Sequence, residues 1–148
     1  MTKVRCVKVC ELTLTPIIAV VDDDLSICNA LAELLEVFDF KCQIFDRPEK
    51  FLAAHTRGRF DCLITDLNMK GMSGLELQEM LSAADPVLPI IFMSARLAPE
   101  AKARALRLGA VAFLNKPISD DVLHGHIISA LNRRSICPES RNSTVSSN

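Results

Sequence analysis

Short apolar runs alternate with helix-periodic segments along most of the chain. Ile17–Val21 is a continuous apolar run ended by three aspartates, as a strand buried on both faces requires. Leu25–Phe38 follows, with Ile27, Leu31, Leu34, Leu35 and Phe38 at helical spacing and Asp24 placed to cap it. Lys41–Phe45 reads as a second strand. Pro48–His55 reads as a short helix with proline at its first position. Asp61–Thr65 is a third strand, ending at Asp66. Ser73-Gly74-Leu75-Glu76 is a capping box that opens a helix packing through Leu75, Leu77, Met80 and Leu81. Pro89–Met93 is a fourth strand, ending at Ser94. Pro99–Leu108 is a helix with Gly109 just past its end, and Ala110–Leu114 a fifth strand, ending at Asn115-Lys116-Pro117. Ser119 caps a last helix running to about Arg133.

Strands and helices in strict alternation imply an α/β fold, a doubly wound five-stranded parallel sheet with right-handed crossovers and helices on both faces. The pattern divides the chain into three parts. Residues 1–15 are a loose arm or an extra edge strand, since Val4, Cys6, Cys10, Leu12 and Leu14 share one parity but Lys8 breaks it. Residues 16–134 form the domain. Residues 135–148, with five serines and no apolar period, read as a flexible tail.

Composition narrows the function. The chain has 148 residues and a net charge of −1, which excludes a globally basic nucleic-acid binder. No apolar run approaches the roughly 20 residues that span a bilayer, and the N-terminus lacks a signal peptide's apolar stretch, so the expected compartment is the cytoplasm. Six cysteines form no CxxC pair. Cys28, Cys42 and Cys62 lie within apolar segments and read as small buried hydrophobes. Cys6, Cys10 and Cys137 lie near the ends.

The informative chemistry sits where the strands stop. In open α/β sheets, ligands bind beyond the carboxyl ends of the strands. Here those ends carry Asp22-Asp23-Asp24, Asp66, Ser94 and Lys116. One aspartate after a strand is ordinarily a turn former; the joint occurrence is what carries meaning. Packed carboxylates repel and need a compensating cation. Mg2+ suits them, because it takes oxygen ligands and shares them with phosphate. One carboxylate can then attack a phosphoryl group while the metal and Lys116 neutralise its oxygens and Ser94 hydrogen-bonds them.

These residues resemble the receiver domains of two-component response regulators. The likeness covers about Pro16 to Arg133. It rests on Val20-Val21-Asp22-Asp23-Asp24, Leu63-Ile64-Thr65-Asp66-Leu67-Asn68-Met69, Met93-Ser94-Ala95, Gly109-Ala110 and Asn115-Lys116-Pro117. The flanking Gly74-Leu75-Glu76-Leu77 and Gly109–Leu114 look most like nitrogen-fixation and NtrC-like receivers. The resemblance implies a flavodoxin-like (βα)5 fold with strand order 2-1-3-4-5. It makes Asp66 the phosphoacceptor, aided by Ser94 and Lys116. It assigns Mg2+ to the Asp23 and Asp66 side chains and the Asn68 main-chain carbonyl, with Asp22 helping through water. It makes Ser94 and Phe113 the switch residues and Lys116–Pro117 a cis peptide. Three positions depart from the usual pattern. Lys70 stands where proline is usual, Phe113 has no hydroxyl, and Asp24 adds a third carboxylate, for which helix capping is the ordinary role.

The implied partner is a histidine kinase or a histidine phosphotransfer protein. A homodimer or effector contact is expected through helix four, strand five and helix five, with Arg104 and Arg107 as candidates for inter-subunit ion pairs or simply a solvated face. No direct nucleic-acid or membrane binding is expected. Too few residues follow Arg133 for a helix-turn-helix domain, so the expectation is a stand-alone receiver that is not an enzyme in its own right. The alternatives are a receiver segment of a longer DNA-binding regulator, a receiver kept only for protein contacts, or a haloacid-dehalogenase-type phosphatase, whose motifs Asp22-x-Asp24 and Asp120-Asp121 partly mimic.

Overall fold

The computed structural model describes residues 15–143, with side chains through Arg133. The expected N-terminal arm or strand lies outside the described residues but for Thr15. Five strands, β1 (Ile17–Val21), β2 (Lys41–Phe45), β3 (Cys62–Asp66), β4 (Ile90–Ser94) and β5 (Ala112–Asn115), alternate with five helices. These are α1 (Leu25–Val37), α2 (Pro48–Ala54), α3 (Gly74–Ala84), α4 (Pro99–Arg107) and α5 (Asp120–Ser143). The strands form one parallel sheet in the order β2-β1-β3-β4-β5. Two boundaries matter for the chemistry: β3 and β4 end one residue later than the apolar runs, so Asp66 and Ser94 are the last residues of their strands.

Strand alternation sends side chains to two buried layers. Ala19, Val21, Leu63, Phe92 and Phe113 face α2, α3 and α4, where they meet Phe51, Leu77, Leu81 and Ala105. Ile18, Val20, Cys62, Ile64, Ile91 and Met93 face α1 and α5, where they meet Cys28, Leu31, Leu35, Leu123 and Ile127. Cys28 and Cys62 are buried as read from the sequence, and Cys42 is half-buried. Burial pushes the Cys28 and Cys42 thiols up to about 11, so both stay protonated and unreactive.

Local chemistry explains the helix ends. Asp24 caps α1, its Oδ1 accepting from the Ser26 and Ile27 amides at 3.0 and 3.4 Å. Ser73 and Glu76 form the expected capping box. Two helices differ from their sequence pattern. In α3, Met80 is exposed and Gln78 takes the buried position, its amide donating to the Ala105 carbonyl of α4 at 3.0 Å. That bond makes a polar side chain tolerable in the layer between α3 and α4. The backbone of α5 continues past Arg133 and through Pro138 to Ser143.

A buried histidine–aspartate contact lies at the end of the sheet opposite the carboxyl ends of the strands. His55, at the C-cap of α2, places Nε2 3.2 Å from Oδ2 of Asp85, at the C-cap of α3. Both side chains are almost fully buried, and the imidazole clusters with Phe51 and Phe60, the three ring centroids lying 5.2–6.0 Å apart. Replacing His55 by Leu strands a buried carboxylate, so we expect a loss of about 3–5 kcal/mol in urea unfolding. Asp85→Asn, which removes the charge and keeps the shape, should cost less in the same titration.

Candidate functional site

β1, β3 and β5 deliver the charged side chains to one crevice beyond their carboxyl ends. The strand order places β1 and β3 side by side, with the crossover to β2 on one side and to β4 on the other. This is the topological switch point at which α/β sheets open. Asp22 follows β1 directly and stays in the sheet frame, its amide donating to the Phe45 carbonyl at 3.1 Å. Its Oδ1 accepts from the Asp24 amide at 3.0 Å, and its main-chain carbonyl accepts from the Cys28 thiol at 3.2 Å. The acidic loop is thus tied to the first turns of α1.

Lys116 joins the two halves of the site. Its Nζ lies 3.1 Å from Asp22 Oδ2 and 3.0 Å from Asp66 Oδ1. The Lys116–Pro117 peptide is cis, as the resemblance implies. Asp22, Asp23 and Asp66 each offer an oxygen within 4.8 Å of the others. Asp22 and Asp66 are buried, and Asp23 is open to solvent. Asp23 Oδ2 also accepts from the main-chain amide of Lys70, at 3.4 Å. Proline, usual at that position, has no amide proton to give.

Three carboxylates face one ammonium, and the ionisation follows. Burial is the main cause that raises the pKa of Asp66. The Lys116 hydrogen bond opposes it, and the nearby Asp22 and Asp23 charges add to it. Burial disfavours the Lys116 charge, but its bonds to Asp66 and Asp22 outweigh that and raise its pKa. The site holds surplus negative charge around a set of hard oxygen donors, one of them open to solvent. Those are the properties that Mg2+ requires.

Ser94 and Phe113 sit on the β4–β5 side. Ser94 is fully buried, and its hydroxyl donates to the Arg96 carbonyl at 2.9 Å and accepts from the Arg96 amide at 3.2 Å. Phe113 is buried, with its ring stacked on Phe92 at 5.9 Å. Asn68 lies on the exposed stretch two residues past Asp66. Arg104 is held within the chain by Glu79 of α3, so its resting partner is intramolecular. The pair is half exposed, so Arg104 lies on a solvated face as one of its two readings expected.

One residue was missed in the sequence. A Cβ on Gly74 would lie 2.6 Å from the Asp66 carbonyl and 3.0 Å from the Phe92 ring. The Gly74 amide donates to the Leu67 carbonyl at 2.9 Å. The first turn of α3 therefore packs directly on the main chain of Asp66. A glycine opening a helix right after the capping serine was the available signal.

Comparison with known proteins agrees with this geometry. The family model of the response regulator receiver domain matches residues 18–128. The chain belongs to that family. Transcriptional regulatory protein FixJ of Bradyrhizobium diazoefficiens is 36% identical over 114 residues, covering 77% of this chain and 56% of FixJ. Response regulator protein TodT of Pseudomonas putida is 34% identical over 115 residues, covering 78% of this chain and 51% of TodT. The chain thus spans about half the length of these relatives. Among solved structures, the response regulator StyR superposes with a TM-score of 0.82 at 34% identity, over 88% of this chain and 66% of StyR.

Two outcomes follow for the receiver site. Gly74→Ala should push the α3 turn off Asp66 and cost about 1–3 kcal/mol in chemical unfolding. The raised pKa of Asp66 means that the folded state holds its proton more tightly than the unfolded state does. Its ionisation therefore removes stability as pH rises from about 3.8 through the higher folded value, and the loss persists above it. Asp66→Asn should be more stable than the native chain at pH 7 without divalent metal, and thermal melts across pH should show its fall in that window removed.

Proposed function

We propose that this receiver domain accepts a phosphoryl group on Asp66 from a phosphohistidine of a histidine kinase or a histidine phosphotransfer protein, as a step in two-component signalling. The observation that carries this is Lys116, whose ammonium bridges Asp22 and Asp66 at the crevice of the sheet. An Asp66 carboxylate oxygen attacks phosphorus, the phosphorus–nitrogen bond breaks, and its electron pair stays on the donor imidazole. Lys116 compensates charge on the transferring oxygens, and the buried walls keep that compensation strong.

The Asp23 and Asp66 side chains and the Asn68 main-chain carbonyl would hold Mg2+, with Asp22 assisting through water. The metal supplies charge neutralisation and in-line alignment of the phosphoryl group. Acid–base chemistry of the protein itself has little part in the transfer, which fits a signalling domain better than a turnover enzyme. The family membership and the joining of Asp66 to Lys116 weigh against the haloacid-dehalogenase reading.

The donor approaches from the α1 side. A groove of about 690 Å3 runs along α1 between Ile27, Leu31 and Leu34 on one side and Ile118, just before α5, and Leu123 of α5 on the other, and Lys116 lines it. An apolar helix carrying the phosphohistidine fits there, with its reactive ring turned toward Lys116. After transfer, Ser94 turns to the phosphoryl group, and Phe113 repacks by shape alone. The two change the α4–β5–α5 face, which serves as the homodimer or effector surface. We place this exchange in the cytoplasm; among the described residues no helix is long and apolar enough to cross a membrane. A second reading, a receiver working within a longer DNA-binding regulator, is favoured by relatives of which the matched segment covers only 51–56%, and which include a transcriptional regulatory protein.

Intact-protein mass after incubation with Mg2+ and acetyl phosphate tests the assignment. We expect the gain of one hydroxylamine-labile phosphoryl group, lost in Asp66→Asn and when Mg2+ is removed by chelation. A variant at Asp66 that is still modified would overturn it.

A further inference from the structure

The Ser94 hydroxyl has one proton, and in this structure it is spent on the Arg96 carbonyl at 2.9 Å. That carbonyl has a second donor. The side-chain amide of Asn115 reaches it at 3.4 Å. The convergence is set by register, since Ser94 of β4 and Asn115 of β5 are direct partners in the sheet. The next amide, that of Lys116, donates to the Ser94 carbonyl at 2.8 Å, so both backbones are fixed at this point. The β4–α4 loop is thus tied back to the sheet at one oxygen by two side chains.

The two ties differ in what the switch asks of them. If Ser94 donates to a phosphoryl oxygen on Asp66, it must release Arg96, because a hydroxyl cannot donate twice. Asn115 has no role at the phosphoryl group and can stay. We propose that Asn115 is a positioning residue for the Ser94 switch, holding the Arg96 carbonyl when the Ser94 hydroxyl turns away from it. The loop then keeps an anchor in both positions of Ser94, and the Arg96 carbonyl is not left without a protein donor when the hydroxyl turns away. Asn115 acts through Ser94 and the loop. It touches neither Asp66 nor the metal ligands. The inference rests on the reading of Ser94 as the switch hydroxyl.

Beryllium fluoride, a stable mimic of the phosphoryl group, tests this on the full chain with Mg2+, with affinity read by calorimetry. Asn115→Leu, close in volume but without a donor, should bind it about fivefold more weakly, the factor expected for one modest hydrogen bond. Asn115→Gln, which restores a donor, should recover most of that loss. In a Ser94→Ala background the Asn115→Leu penalty should vanish, because the exchange it supports no longer takes place. A purely structural role would instead lower the melting temperature and leave the penalty unchanged by Ser94→Ala. Native affinity in Asn115→Leu, or a penalty that persists without Ser94, overturns the proposal. If Ser94→Ala alone binds beryllium fluoride as the native chain does, the reading of Ser94 falls first and takes this inference with it.

Discussion

The site depends on one ammonium group shared by two buried carboxylates. Asp22 comes from the first strand and Asp66 from the third, and Lys116 arrives from the fifth. Left without Lys116, the two carboxylates would repel across a buried crevice. Bringing Lys116 within 3.1 Å of both requires all three strand ends to stop at one level. That in turn requires the parallel register and the order that sets β1 beside β3. The ion pairs and the sheet therefore specify each other. Residual negative charge remains after Lys116 has been counted, and that surplus is the basis of the proposed cation and phosphoryl chemistry.

Most of this was legible in the chain because both signals are local. The apolar runs gave the strands, and a polar residue where each run stops gave the rim. Asp24, Ser73 and Glu76 were readable as caps because capping needs only a short stretch of neighbouring residues. The strand order was not contained in periodicity. It came with the resemblance, since crossover rules alone allow several orders.

What was not legible depends on distant neighbours. Met80 was read as core, whereas the buried position belongs to Gln78, whose amide finds its partner in the Ala105 carbonyl of α4. The pairing of Arg104 with Glu79 of α3 likewise joins residues far apart in the chain. The Cys28 thiol was read as filler, and it is buried filler, but it also donates to the Asp22 carbonyl. The end of α5 was placed at Arg133 from loss of apolar period, whereas the helical backbone runs on to Ser143.

Gly74 has a mechanical consequence. With no room for even a methyl group between α3 and the carbonyl of Asp66, that flank of the acceptor is a stiff wall. The opposite flank, from Ser94 to Arg96, is hung on a few exchangeable hydrogen bonds. A charge added at Asp66 therefore meets unequal resistance on its two sides. In the proposed switch, displacement would be channelled toward β4 and β5, making the domain a one-way lever whose fulcrum is a missing side chain.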